Sequence, residues 1–548
     1  MRLAFGWGGL TASPPNGART TRSDTVATQH VALFRMIGLI PQRTCQDTAT
    51  NAHLNGAIPE NHMRCLSKSK IMAGLQCPKR LYLEVHHPEL LAFSEHTQRS
   101  FGIGNEVGEA ARAQHPGGRL IEQQDDLKLA LEQTQHLLEE SGDVTLFEPA
   151  FQHGRTLVRA DIFSRNRKVY RLVEVKASTT LKPHYVNDVA IQSWVIEGAG
   201  YPLKTAHLAH IDTSFVYSGG GDYRGLFAAH DLTEVIEPLI QEVPSLVADM
   251  QTILRGAEPD IAVGPQCTDP YECPFLSHCS PAESEYPVTI LPYGGKLTRT
   301  LIAEGYADLR DVPGERLTKE DHQRVWRASK TGKTEFSAEL ASELRALRYP
   351  RFYLDFETIQ FPVPIWVGTR PYEQLPFQWS CHIETADGRL THKEFLNASA
   401  QAPMRAFAES LIATLGTKGP VLVYSHFERT QLKALIARFP DLDVPLTRII
   451  KRLFDLLPVA QAAYYHPAMK GSWSIKAVLP TIAPELDYGT LGEVQHGGDA
   501  QAVYREVIHP ATAPERRAAL SQDLKSYCAL DTLALVRVAR HFEGRDET

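Results

Sequence analysis

The chain has 548 residues, 43% hydrophobic and 22% charged, which is ordinary globular usage and excludes general disorder, collagen and coiled coil. Its net charge of −7 argues against a protein held to nucleic acid by bulk positive charge, but not against local basic grooves. No apolar run reaches the roughly 18 residues of a membrane span, and eight cysteines are too sparse for a disulfide scaffold.

Residues 1–62 contain Gly-Gly and Pro-Pro pairs, many Thr and Asn, and no Lys. They read as a disordered leader or a mis-assigned start, with Met63 as the alternative beginning. From 63 to 282 an α/β pattern follows. Leu127, Leu131, Leu137 and Leu138 put a helical stripe on 125–140. Segments 157–163 and 169–175 predict two strands joined by a turn at RNRK. A helix is predicted at 186–198, a strand at 206–211 and a helix at 233–254. Residues 283–346 read as a small helical linker. Within it, Leu301 to Gly305 followed by LRDVPGERL has the spacing of a helix-hairpin-helix turn, which can offer backbone N–H groups to phosphates; a plain connector is the other reading. The last block, 347–548, has predicted buried strands at 352–356 and 420–424. Helices are predicted there at 404–415, 429–439 and 521–542.

The segment RADIFSRNRKVYRLVEVKAST contains Asp161, Glu174 and Lys176. Residues i and i+2 of a strand share a face, so Glu174 and Lys176 point together while Val173 and Val175 point to a core. Asp161, on the neighbouring strand, is expected to reach the same edge. Two carboxylates are hard oxygen ligands suited to Mg²⁺ or Mn²⁺. A metal there can activate water, and Lys176 can stabilise developing negative charge. The alternative is a surface salt bridge in an exposed hairpin. The pattern resembles the Asp…Glu-x-Lys of restriction-endonuclease-like, PD-(D/E)XK nucleases. Their RecB-type members carry Gly-x-x-x-His on an upstream helix and Gln-x-x-x-Tyr downstream. Here Glu106 stands at the His position, as a candidate metal ligand. Gln192 matches the Gln, and Ile196 replaces the Tyr. Glu148 is a candidate accessory acid or a solvated residue.

Four cysteines bracket this core. Cys77 lies in GLQCPKRLYL, and Cys267, Cys273 and Cys279 lie in QCTDPYECPFLSHC. They lack the paired C-x-x-C knuckles of structural zinc. One distant and three clustered cysteines resemble the RecB-like nucleases with an iron–sulfur cluster, including CRISPR-associated exonucleases and AddB-type helicase–nucleases. The resemblance implies a 4Fe-4S staple on these four thiols, with zinc as the alternative and four unrelated thiols as the bland reading. Cys45, Cys65, Cys381 and Cys528 have no clustered partners and read as free thiols.

A second acidic constellation begins at RFYLDFETI, where Asp355 and Glu357 share a strand face. SYCALDTLALV places Tyr527 and Asp531 on one helical face, and VLVYSHFERTQL lies between. This resembles the DEDD exonucleases on the RNase H-like fold, in which four carboxylates hold two divalent cations. The middle motif departs from that family, with Glu428 in place of Asp; Asp455 is a fallback acid or a helix cap. In AYYHPAMKGSWSIKAVLP, residues Lys470, Ser472, Trp473, Ser474 and Lys476 can bind a nucleic-acid backbone and stack a base. Otherwise Trp473 and Tyr464 pack a core.

From about residue 63 onward, the RFYLDFETI and DLLPVAQAAYYHPAMKGSWSIKAVLP motifs resemble an uncharacterised bacterial family. Its members join a RecB-like iron–sulfur nuclease half to an RNase H-like half. The resemblance implies two α/β domains, metal-dependent hydrolysis of DNA or RNA, no membrane, and a cytoplasmic location. A part in DNA repair or defence is a further implication. Two other functions fit the same residues: a nucleic-acid-binding scaffold with decayed sites, and a zinc-stapled interaction module.

Overall fold

The computed structural model describes residues 65–122, 126–280 and 284–545. From Leu66 onward the described residues form one compact unit. The expectations for the leader and Met63 fall outside the described residues. This unit is mixed α/β, built on two main sheets. No helix among the described residues is long and apolar enough to cross a membrane.

The first main sheet has six strands in the order Arg119–Leu120, Val144–Phe147, Ile162–Asn166, Val169–Lys176, Leu203–Ile211 and Phe227–Asp231. Its pairings mix parallel and antiparallel. Leu172 joins the core beneath helices Pro183–Gly198 and Thr233–Arg255, with Val189, Ile191, Val195 and Val247. Val173 and Val175 pack oppositely, against Ala111 and Val107 of helix Glu95–Ala113. The alternation that separates Glu174 from Val175 thus assigns the two sheet faces to different helices.

The predicted strand 157–163 is two strands. Thr156–Arg159 belongs to a separate three-stranded sheet, and Ile162–Asn166 belongs to the six-stranded one. Asp161 sits at the break, where its backbone carbonyl accepts the Glu148 N–H at 3.2 Å. Continuous hydrophobicity conceals such a change of sheet, because both pieces are buried. The RNRK turn forms as expected, with Asn166 paired to Val169. Arg167 and Lys168 both take positive φ, 48° and 67°, as a two-residue hairpin turn requires. A side chain at Lys168 is strained there. Lys168→Gly is expected to stabilise the fold by about 0.5–1 kcal/mol, read from urea unfolding.

The second main sheet has five strands in the order Leu390–Leu396, Leu375–Glu384, Arg351–Ile359, Val421–Val423 and Leu453–Asp455. The first three run antiparallel and the last two join in parallel. Leu354 and Phe356 pack with Phe407 of helix Met404–Leu415. On the other face, Gln378 donates to the Leu524 carbonyl at 2.9 Å, and Ser380 lies 2.8 Å from Thr532. Helix Pro514–Glu543 therefore covers that face. It starts well before the predicted 521, with Pro at its first position, and stops at Gly544 with φ +70°.

The connector contains helices Gly295–Ala303 and Glu320–Thr331, separated by short 3₁₀ turns at Leu309–Asp311 and Gly314–Arg316. The helix-hairpin-helix spacing thus gives a turn after Gly305 without an immediate second α-helix. Leu301, Leu309, Val312 and Val325 share a core with Tyr353, Leu535 and Phe542, so this segment is packed on the second half.

The halves also touch directly. Arg505 donates to Glu106 at 2.9 Å and to the Gln360 carbonyl at 2.6 Å. The Tyr372 hydroxyl donates to the Ala177 carbonyl.

Candidate functional site

Strand Arg351–Ile359 puts Asp355 and Glu357 on the face beneath helix Pro514–Glu543, which contributes Asp531 one turn after Tyr527. Among the described residues, Asp355, Glu357 and Asp531 are the only group of three or more His, Cys, Asp or Glu whose ligand atoms all lie within 4.8 Å of one another. Asp531 is 7% exposed and Glu357 9%.

Glu428 comes from the first turn of helix Phe427–Arg438. Ser425, just before it, is held at φ +128°, a region that non-glycine residues avoid. The Ser425 N–H donates to Asp455 Oδ1 at 2.9 Å. Asp455 also caps helix Leu456–Ala463 through the Leu457 N–H, so it serves as the cap rather than the fallback acid. Glu428 is 3% exposed, and its Oε2 is buried without a hydrogen-bond partner. An orphaned carboxylate oxygen beside three clustered carboxylates is a donor set that fits hard divalent cations.

The electrostatics agree. Burial, then Asp531, Glu357 and Glu428, hold Asp355 well above the usual carboxylate range. Burial and Asp531 do the same to Glu357. Burial raises Asp531 to about 6, against the Tyr488 and Lys476 contacts that oppose it. Burial raises Glu428 to about 8. Carboxyls that stay protonated in the fold but ionise when unfolded make stability fall with rising pH. The loss begins near pH 4, where free carboxyls ionise, and extends to about 8. Divalent cations favour the ionised form. The rise in Tm on adding Mg²⁺ is therefore expected to be larger at about pH 8 than at about pH 5, and calorimetry at both values checks it.

Two further residues complete this cluster. Tyr488 donates to Asp531 Oδ1 at 2.6 Å. Lys476 Nζ donates to the Tyr527 hydroxyl at 3.0 Å and the Gln495 carbonyl at 2.9 Å. Lys476 thus faces the acids. Trp473 does not stack outward: it is buried, and its Nε1 donates to the Tyr464 carbonyl at 2.8 Å. Tyr464 is buried beside it. Cys528 and Cys381 are buried free thiols, with Cys528 Sγ 3.7 Å from Asp355. Cys65 is disulfide-bonded rather than free.

The first constellation also assembles, with a different charge balance. Asp161 Oδ2 accepts the Val175 N–H at 2.6 Å. Glu174 Oε1 accepts from Lys176 at 2.6 Å and Lys68 at 2.9 Å. Gln192, fully buried, donates to Glu174 Oε2 at 2.8 Å and Asp188 Oδ1 at 2.9 Å. Burial works against charge on Lys176 and Lys68. Asp188 and then Glu174 outweigh it, so both ammoniums are held above the usual lysine value. Burial, then Glu174, raises Asp161. Glu148 feels Glu174 and Lys68 and lies 3.8 Å from Arg112, so it borders the cluster. Glu106 does not join it. Its helix covers the sheet face opposite Glu174 and Lys176, and its carboxylate pairs with Arg505. Every acceptor oxygen of Glu174 is engaged by a donor, unlike the open Glu428.

The four predicted cysteine ligands converge. Cys77, Cys267, Cys273 and Cys279 line one small cavity with Leu83 and Phe275. The Cys273 N–H donates to the Cys267 carbonyl at 2.8 Å. No three of the four sulfurs fall within the 4.8 Å that groups the acids. Tetrahedral zinc, with Zn–S near 2.3 Å, needs sulfurs about 3.8 Å apart.

Lys68, Asp188, Lys476 and Tyr488 were not read from the sequence as members of either acidic site. Asp188 had a usable signal, since it lies one helical turn before Gln192. Lys68 and Tyr488 come from remote segments and carried none.

Residues 352–474 match the profile of a family described as Domain of unknown function (DUF2779). The matched stretch includes Asp355, Glu357 and Glu428, and stops before Lys476, Tyr527 and Asp531. No curated protein shows significant similarity. A solved structure titled "Crystal structure of SSO0001" is 16% identical, over 40% of this chain and 87% of that one, with a TM-score of 0.23.

Proposed function

We propose that the chain is a divalent-metal-dependent nuclease acting on DNA, with RNA as the alternative substrate. Its principal active site is the Asp355, Glu357, Glu428 and Asp531 cluster. The observation that carries this reading is three carboxylates gathered within 4.8 Å, with a fourth left unpaired in the interior. Burying like charges this closely is costly unless a cation offsets them. The order of the five-stranded sheet supports an RNase H-like second half, and the Glu174–Lys176 pair supports a PD-(D/E)XK first half.

Asp355, Glu357, Glu428 and Asp531 would hold Mg²⁺ or Mn²⁺, which activates water and offsets charge on the leaving oxygen. Tyr488 fixes the orientation of Asp531. Lys476 fixes the hydroxyl of Tyr527, the residue that helps orient the attacking water in the DEDD pattern. In the first half, Asp161, Glu174, Lys176 and Gln192 form the second candidate site.

End-labelled single- and double-stranded DNA, with and without Mg²⁺ or Mn²⁺, tests the reading. Wild type is expected to cleave, and chelation to stop it. Asp355→Ala, Lys176→Ala and the double change apportion activity between the sites. Loss with Lys176→Ala alone would move the chemistry to the first site. Absence of any metal-dependent cleavage of DNA or RNA by wild type would overturn the enzymatic reading. Salt-dependent binding without cleavage would then favour the scaffold.

We also infer that the four thiols hold an iron–sulfur cluster, because cysteines from both ends of the first half line one small cavity and four thiolates are the usual ligand set of such a cluster. Such a cluster favours the cytoplasm. Protein purified without oxygen is expected to be brown and to contain iron and sulfide, and Cys273→Ser to lose the colour. Colourless, zinc-containing protein would refute it.

A further inference from the structure

Helix Lys68–Gln76 delivers to the first acidic cluster a residue absent from the Asp…Glu-x-Lys pattern. Ser67 caps this helix by accepting the Lys70 N–H at 3.3 Å, which fixes Lys68 at its first position. Lys68 Nζ lies 2.9 Å from Glu174 Oε1 and 3.1 Å from Asp188 Oδ1. Lys176 Nζ reaches the same Glu174 oxygen at 2.6 Å and the other Asp188 oxygen at 2.7 Å. Two ammoniums and two carboxylates therefore close a ring, and Gln192 bridges its buried side.

The carboxylates are interior, but the lysines are not wholly so. Glu174 and Asp188 side chains are 2% and 8% exposed, against 22% for Lys68 and 20% for Lys176. An ammonium has three N–H donors. Each lysine spends two of them on the carboxylates, which leaves one apiece. Lys182 and Lys176 approach the Tyr185 ring at 5.9 and 5.4 Å, so a third cation stands nearby. Adjacent cationic donors beside solvent are the recognition chemistry of a phosphate oxyanion.

We propose, resting on the nuclease reading above, that Lys68 and Lys176 together clamp one backbone phosphate of the bound nucleic acid. Asp188 is the positioning residue that fixes both ammoniums. The buried ring spaces the two donors before substrate arrives, which lowers the ordering cost of binding. At the second cluster a single lysine, Lys476, makes the corresponding approach, through Tyr527 and Gln495.

A phosphate contact has a signature that a structural lysine lacks. Each lost contact lowers the slope of log affinity against log salt by about one. The test measures binding of duplex DNA to the full-length protein across salt concentrations, without divalent cation so that no cleavage intervenes. Lys68→Met is expected to reduce the slope by about one and Lys68→Arg to restore it. Lys68→Met removes charge from beside two buried carboxylates, so its Tm is measured alongside. Should it unfold, Lys68→Met with Asp188→Asn keeps the ring balanced and is expected to lose at least the same slope, since Asp188 also fixes Lys176. Salt-dependent wild-type binding with unchanged slope in the folded variants overturns the clamp and leaves the nuclease reading standing. Wild type with no salt-dependent binding of DNA or RNA overturns both.

Discussion

Asp531→Asn is expected to cut metal-dependent cleavage at the second site by about a hundred- to thousandfold while raising the Tm of the metal-free protein. The rate loss follows from charge. A metal contributes several kcal/mol of transition-state stabilisation, at tenfold for each ~1.4 kcal/mol. The stability gain follows from the same charge. Asp531 raises both Asp355 and Glu357, so it is a repulsive neighbour to each. Asparagine keeps the shape and can still accept from Tyr488. Activity and stability thus move in opposite directions, as at sites built for function at a cost in fold. The Tm response to Mg²⁺ is expected to shrink in the same variant. A variant that loses activity with no rise in metal-free Tm would count against a repulsive carboxylate cluster.

Arg351→Met is expected to be the most damaging single change outside the sites, at about 3–5 kcal/mol by denaturant unfolding. Arg351 and Glu543 have side chains only 2% exposed and meet at 2.7 Å. Arg351 also donates to the Leu344 and Leu347 carbonyls, both at 3.0 Å. It therefore ties the end of the connector, the first strand of the five-stranded sheet and the end of the last helix. Removing it takes one donor from each of these carbonyls, although the Leu347 N–H still reaches the Leu344 carbonyl at 3.1 Å, and leaves much of a buried carboxylate without donors; Arg545 still reaches Glu543 Oε2. Replacing both partners, Arg351→Met with Glu543→Leu, is expected to recover a large part of the loss, because the interior then holds no unpaired charge. Additive losses in the pair would contradict that account.

The sequence contains the periodic parts of this fold plainly. Alternation around Asp355 and around Glu174 gives the strand faces, and the four-residue step from Tyr527 to Asp531 gives the helical face. These readings are local, and local geometry decides them. The break at Asp161 was hidden because both flanking strands are buried. Glu106 looked like a ligand from its place in a motif, but sheet alternation put its helix on the other face. Trp473 looked available for stacking, and its indole N–H instead completes a buried backbone carbonyl. Lys68 and Tyr488 reach their clusters through long-range packing, which spacing along the chain does not encode. Site chemistry was legible where one element carries two groups, and illegible where a distant segment supplies one.

The Arg505 guanidinium holds Glu106 of one half and the carbonyl of Gln360 in the other. Gln360 directly follows the strand that bears Glu357. Tyr372, twelve residues later, donates to the Ala177 carbonyl, next to Lys176. The second half thus fixes backbone of the first beside Lys176, while Glu106 of the first half holds the Arg505 that fixes Gln360. A lineage carrying this chain is constrained to inherit both halves together: recombination that swapped either one as a cassette would have to bring a matched partner for Arg505 and Tyr372.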